Sequence, residues 1–194
     1  MIINRIDVEW LGPFGWPEFE GDLPPILKIP GVYLLTVGYQ RGYLIYGAGI
    51  TRRPMPEPFR EHTALYMDGH YNVLDIEAMK AGFRKEVWQG FWKKKQRPRE
   101  KLAEYEERKL QIQDAVRRLL AGFRIFAPDI GTMRRTLERL EAAIMESLYK
   151  QPTPLCEIPD RGMMLAPRWK SEIPIVVKNK CSAVLFDLPA CLEI

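Results

Sequence analysis

Apolar residues fill Val32 to Val37 almost without a break, and they resume at Tyr43 to Tyr46 after the turn residues GYQRG. Apolar runs of this kind, bounded by glycine, predict buried strands, and two of them across a short turn predict a hairpin. With the loop at Gly38–Arg41, Tyr33 faces Tyr46. Directly opposed residues share a face, so two phenols converge on one side. Prolines at 54, 56 and 58 keep the next segment extended. Pro58 suits the first turn of a helix, where its missing N–H costs nothing. That helix reads PFREHTALYM and ends near Gly69. Residues 72–96 predict one or two short helices. Residues 98–121 predict a long charged helix with a partial apolar stripe of Leu102, Tyr105, Leu110, Ile112, Val116 and Leu119. FRIFAPDI predicts a short strand. Thr136–Tyr149 predicts a second strong helix, stopped by Pro152, with Leu137, Leu140, Ile144 and Leu148 on one face. Ahead of the hairpin, a strand-like start runs into the irregular LGPFGWPEFEGDLPP. Beyond residue 152 the chain is proline-bearing, with strand-like pieces at IPIVV and SAVLF. The order predicts an α+β layout, a small sheet with helices packed on it.

Composition changes this picture little. The 194 residues are 46% hydrophobic and 28% charged, which suits one domain or one domain with an appendage. No apolar run approaches a bilayer span, and the N-terminus lacks the apolar stretch of a signal peptide, so the expected location is cytoplasmic. Cys156, Cys181 and Cys191 are odd in number and have no C-x-x-C spacing, which argues against a disulfide frame or a zinc knuckle. His62 and His70 are too few for a histidine cage. A metal would therefore need oxygen ligands, which favours Mg²⁺ or Mn²⁺. The formal charge is +4, compatible with a polyanionic partner. Charge concentrates in Arg84–Lys101, where Lys93, Lys94, Lys95, Arg97 and Arg99 cluster with two tryptophans. Either this is a solvated helix end and loop, or it is a phosphate-contacting surface.

Two polar residues sit on apolar faces. Glu141 lies four residues after Leu137 and three before Ile144. A carboxylate beside a buried stripe is expensive unless something compensates it. An arginine partner at the edge of the core would do so, and so would a bound cation. His62 lies three residues after Phe59 and four before Tyr66. A histidine there is either a satisfied packing residue or a site residue.

Taken together, GVY at Gly31–Tyr33, IYGAG at Ile45–Gly49, FREH at Phe59–His62 and LERLEAAI with Glu141 resemble the GIY-YIG nucleases. The resemblance covers roughly residues 30–67 and 122–152. It implies a small three-stranded antiparallel sheet flanked by helices. The corresponding division is an N-terminal arm at 1–29, a nuclease domain at 30–152 with a helical insertion about 72–121, and a C-terminal extension at 153–194. It implies metal-dependent hydrolysis of DNA phosphodiesters. Glu141 would hold one Mg²⁺ or Mn²⁺. Tyr33 would take part in proton transfer beside the attacking water, and Tyr46 would orient the site or the phosphate. Arg60 and His62 would complete the catalytic set. Arg52, Arg53, Lys93, Lys94 and Lys95 would contact DNA. A phenol is a poor base at pH 7, so Tyr33 would need cationic neighbours. Concerted double-strand cutting would need two sites, and hence a dimer.

The sequence departs from the family pattern at three places. The second motif usually runs tyrosine, any residue, glycine; here it is Tyr46-Gly47-Ala48-Gly49. Pro58 stands where the helix commonly carries arginine, and Arg60 is about 200° around the helix from it. Arg52 and Arg53 could substitute from the loop. The asparagine often found after the last helix is not evident near Leu155–Cys156. Three readings follow: a metal-dependent endonuclease, a nucleic-acid-binding module that has lost cleavage, and a protein-interaction domain.

Overall fold

A computed structural model describes residues 4–19, 23–91 and 99–194. The hairpin forms as β2 (Gly31–Tyr39) and β3 (Gly42–Thr51). Its loop is shorter than expected, because Tyr39 pairs with Gly42 and only Gln40 and Arg41 turn. Gln40 takes a left-handed φ of 49° to close it. The expected pairing of Tyr33 with Tyr46 does not occur. Thr36 faces Ile45, Leu35 faces Gly47, and Tyr46 is the extra residue of a bulge, so Tyr33 lies opposite Gly49. A bulge shifts the strand's alternation by one. Leu44 and Tyr46 therefore face one core while Ile45 and Ala48 face the other. The two phenols still share a face, because the bulge offsets the shorter loop.

The expected small three-stranded sheet is not what forms. Strands β2, β3 and β6 (Phe123–Ala127) are antiparallel neighbours, but they lie inside a curled, seven-stranded mixed sheet that makes a half-barrel. The free edge of β6 is taken by β1 (Asn4–Phe14), which pairs with it antiparallel. β1 in turn pairs in parallel with β7 (Ile175–Cys181) across seven consecutive residues. β8 (Leu185–Phe186) and β9 (Cys191–Glu193) complete the order β8-β3-β2-β6-β1-β7-β9. Val8 and Trp10 of β1 and Val177 of β7 are buried, so this extension adds apolar core and covers an edge that would otherwise be open. Residues 4–14, within the expected arm, are thus a strand inside the sheet.

Helices cover both faces. α1 (Pro56–Met67), α2 (Ile76–Lys80) and α3 (Arg99–Gly122) pack on the face that carries Tyr33, Val37, Leu44 and Tyr46. Within the expected insertion, β4 (Val73–Leu74) and β5 (Glu86–Trp88) pair as a small separate ribbon. The long helix buries Tyr105, Ile112, Ala115, Val116, Leu119 and Leu120. Leu110, expected in its stripe, is 83% exposed. It falls about 160° from Ala115 and 200° from Ile112 around the helix, on the outer side. α4 (Arg134–Tyr149) packs alone on the opposite face, through Leu137, Leu140, Ile144, Met145 and Leu148, against Val32, Leu34, Ile45 and Ala48. Among the described residues no helix is long and apolar enough to cross a membrane.

Candidate functional site

β3 has a strand partner on its outer edge only at Tyr43 and Leu44, where β8 pairs with it. From Tyr46 to Ile50 that edge is bare, and alternate backbone groups along it must find other partners. They find three. The Tyr46 carbonyl accepts from the Asp160 N–H at 2.9 Å. The Ala48 N–H approaches Met145 Sδ at 3.1 Å. The Ile50 N–H is met by the Glu141 carboxylate. α4 and the segment after it thus take the place of a strand. A cleft of about 290 Å³ opens along this edge. Tyr33, Tyr46, His62, Tyr66, Tyr71, Glu141 and Asp160 line it.

Four of the five catalytic residues expected from sequence meet there: Tyr33, Tyr46, His62 and Glu141. Gly49 permits the meeting. A Cβ at residue 49 would stand 2.5 Å from both Cζ and Oη of Tyr33, so the phenol can lie across β3 only because that position has no side chain. Gly47, by contrast, has open space around it. Gly49→Ala is therefore expected to destabilise the fold by about 1–3 kcal/mol through overpacking, with Gly47→Ala near neutral. Urea unfolding of the two variants checks this; equal effects would contradict the placement of Tyr33.

Glu141 is 8% exposed, and among the described residues it has no ion-pair partner. The arginines of its own helix are engaged elsewhere. Arg134 and Arg135 pair with Glu138, and Arg139 donates to the carbonyls of Ile173 and Ile194. Burial, joined by the Glu138 charge, pushes the Glu141 carboxyl up to about 7, against the pull of the Ile50 N–H. Of the two ways to compensate this carboxylate, the arginine partner is not present.

Tyr33 is also 8% exposed, and its hydroxyl has no hydrogen-bond partner among the described residues. Burial, with Glu141 and Tyr71 adding to it, pushes its pKa far above the usual phenol value. The cationic neighbours it was expected to need are missing, since no lysine or arginine lines the cleft. Burial likewise raises Tyr46, helped by Asp160 and opposed by Arg84 and the neighbouring Tyr66 hydroxyl. His62 is half-buried, with Nδ1 3.2 Å from the Tyr71 hydroxyl. Desolvation holds its pKa below the ordinary value, so it is neutral at pH 7.

No family model matches the chain. No curated protein and no solved structure matches it either.

The remaining expected residues fall outside the cleft. Arg60 is exposed on α1 and does not line it; it sits about 200° around the helix from His62. Arg53 is held by Glu61 in a two-pronged pair, both contacts at 2.6 Å. Arg52 lines a second cleft of about 270 Å³, together with Thr51, Thr132 and Arg134. This second cleft shares Ile50 with the first. Lys93, Lys94 and Lys95 lie outside the described residues. Among the described residues, no three His, Cys, Asp or Glu side chains form a metal-ligand cluster.

Sequence reasoning missed Asp160. Its carboxylate accepts the Gly162 N–H at 3.1 Å, and its carbonyl accepts from the Tyr149 hydroxyl at 2.5 Å. Its only sequence signal is a Pro-Asp-Arg-Gly turn.

Proposed function

We propose that the cleft hydrolyses nucleic-acid phosphodiesters with the help of one divalent cation held at Glu141, as the resemblance to GIY-YIG nucleases implies. The observation that carries this reading is the buried, unpaired Glu141 carboxylate beside the buried, unpartnered Tyr33 hydroxyl. Buried charges are normally paired or bound to metals, and a hard oxygen donor suits Mg²⁺ or Mn²⁺. A cation bound there would neutralise a phosphate oxygen and stabilise the leaving oxygen. The departure in the second motif supports the reading too. The one extra residue in Tyr46-Gly47-Ala48-Gly49 is taken up by the bulge, which brings Gly49 opposite Tyr33.

The roles of the side chains follow from their protonation. Tyr33, with its raised pKa, stays a phenol at neutral pH and acts as a hydrogen-bond donor to the water or the phosphate. His62 is neutral, and in the tautomer that donates from Nδ1 to Tyr71, Nε2 is the free acceptor for the proton of the attacking water. Tyr46 is positioned by the bulge to orient the phosphate. The guanidinium expected at Pro58 or Arg60 is supplied from the adjoining cleft by Arg52, which steadies the neighbouring phosphate of the strand.

Arg52→Ala is then expected to weaken DNA binding and to lower the slope of log affinity against log salt by about one. Filter binding across a salt series measures it, and an unchanged slope removes Arg52 from the interface.

A second reading, binding without cleavage, is favoured by the absence of any arginine or lysine from the cleft itself. An end-labelled DNA duplex separates the two. Hydrolysis in Mn²⁺ that stops in EDTA supports the nuclease. A retarded band that stays uncut in Mg²⁺ and Mn²⁺ supports the binding module.

A further inference from the structure

Glu141 and Asp160 are the two acidic side chains among the residues that line the first cleft, and no basic side chain offsets them. They approach from different parts of the chain. Glu141 comes from α4 and meets the Ile50 N–H. Asp160 comes from the segment after α4 and is fixed at Tyr46, on the same bare strand edge. Four residues of strand put these two anchors at most about 13 Å apart, and both side chains turn into the space between them.

Asp160 is held as a ligand needs to be. Its backbone is pinned at both ends, by the Tyr46 carbonyl at 2.9 Å and the Tyr149 hydroxyl at 2.5 Å. One carboxylate oxygen, Oδ1, accepts from the Gly162 N–H, and among the described residues Oδ2 has no hydrogen bond. An acidic pair alone would not make a site. Here the Tyr33 hydroxyl, more than nine-tenths buried and without a hydrogen-bond partner among the described residues, faces the same cleft. Two carboxylates and a free hydroxyl form an all-oxygen donor set, which suits a small, hard divalent cation that keeps part of its water shell.

We propose that Asp160 is a second acidic residue of the cation site, so that the cleft takes up Mg²⁺ or Mn²⁺ through Glu141 and Asp160 together. This rests on reading the cleft as a cation site, and it goes beyond the single glutamate that the family resemblance implies. The last forty residues then have a part in the site: the strand edge, α4 and the turn at Asp160 are assembled around one ligand.

The test is Mn²⁺ binding by calorimetry at pH 8 to the full chain, to Asp160→Asn and to Glu141→Gln, with melting in EDTA as the check on folding. The expected result is a loss of at least tenfold in Mn²⁺ affinity for each variant. Asp160→Asn binding within twofold of the unmodified protein overturns the proposal. Should Asp160→Asn fail to fold, Asp160→Ser keeps an acceptor for the Gly162 N–H and is measured in the same way. Failure of the unmodified protein to bind Mn²⁺ overturns the cation reading of the cleft and this proposal with it. Binding that ignores Asp160 overturns this proposal alone.

Discussion

Glu141→Gln is expected to abolish strand cleavage while making the cation-free protein more stable at pH 8. The two effects have one cause. In the folded chain the Glu141 carboxyl is raised from 4.5 to about 7 by burial and by Glu138. A carboxyl raised in the folded state binds its proton more tightly there than in the unfolded chain. Its favourable contribution is complete below the unfolded value and is lost as pH rises through the folded one. At about 1.4 kcal/mol per pH unit the loss is on the order of 3 kcal/mol, reduced by the part of the carboxyl that faces the open cleft. Unmodified protein should therefore lose stability between about pH 4.5 and pH 7, and Glu141→Gln should not. Mn²⁺ should restore what the unmodified protein loses, by about 1.4 kcal/mol for each tenfold excess over Kd, and should do nothing for the variant. Cation affinity should fall roughly tenfold per pH unit below 7, since only the ionised carboxylate binds. Thermal melts over a pH series, with Mn²⁺ and with EDTA, read all of this. Identical pH profiles for the two proteins would mean that Glu141 is compensated by something other than a cation.

Tyr33→Phe is expected to lower the cleavage rate by about a hundredfold or more, the usual contribution of a positioned proton donor or acceptor, with stability unchanged or slightly higher. The ring packs against Phe59, with centroids 4.9 Å apart, and the variant keeps that contact. The hydroxyl it removes has no hydrogen-bond partner among the described residues, so no bond is lost on folding. A buried hydroxyl left unpaired costs roughly 1–3 kcal/mol, and its removal relieves that penalty. A phenol with a merely structural role predicts the reverse, an unchanged rate and lower stability. Single-turnover cleavage together with urea unfolding distinguishes the two.

The parts of this molecule that local pattern governs were legible in the sequence. The hairpin, α1, α3, β6 and α4 follow from apolar runs and helical spacing, and so does the convergence of Tyr33, Tyr46, His62 and Glu141. What escaped depends on distant partners. The parallel pairing of β1 with β7 joins opposite ends of the chain, and neither strand announces the other. That pairing is why a three-stranded expectation became a seven-stranded sheet. The hairpin register escaped for a different reason. Its loop is tighter than the turn residues suggest, and a bulge at Tyr46 offsets it, so the shared face came out right from a pairing that does not exist. Asp160 escaped because its place is set by the Tyr46 carbonyl and the Tyr149 hydroxyl rather than by any periodicity. The position of Arg60 on the outer side of α1 was readable from helical geometry alone.

The most direct test of the central claim is nicking of supercoiled plasmid by the purified chain at pH 8, with Mg²⁺, with Mn²⁺ and with EDTA, beside Glu141→Gln. The expected result is conversion to nicked circle in either metal, none in EDTA and none with the variant. A variant that cuts as fast as the unmodified protein, or cutting that persists in EDTA, would contradict a hydrolytic site built on a cation at Glu141.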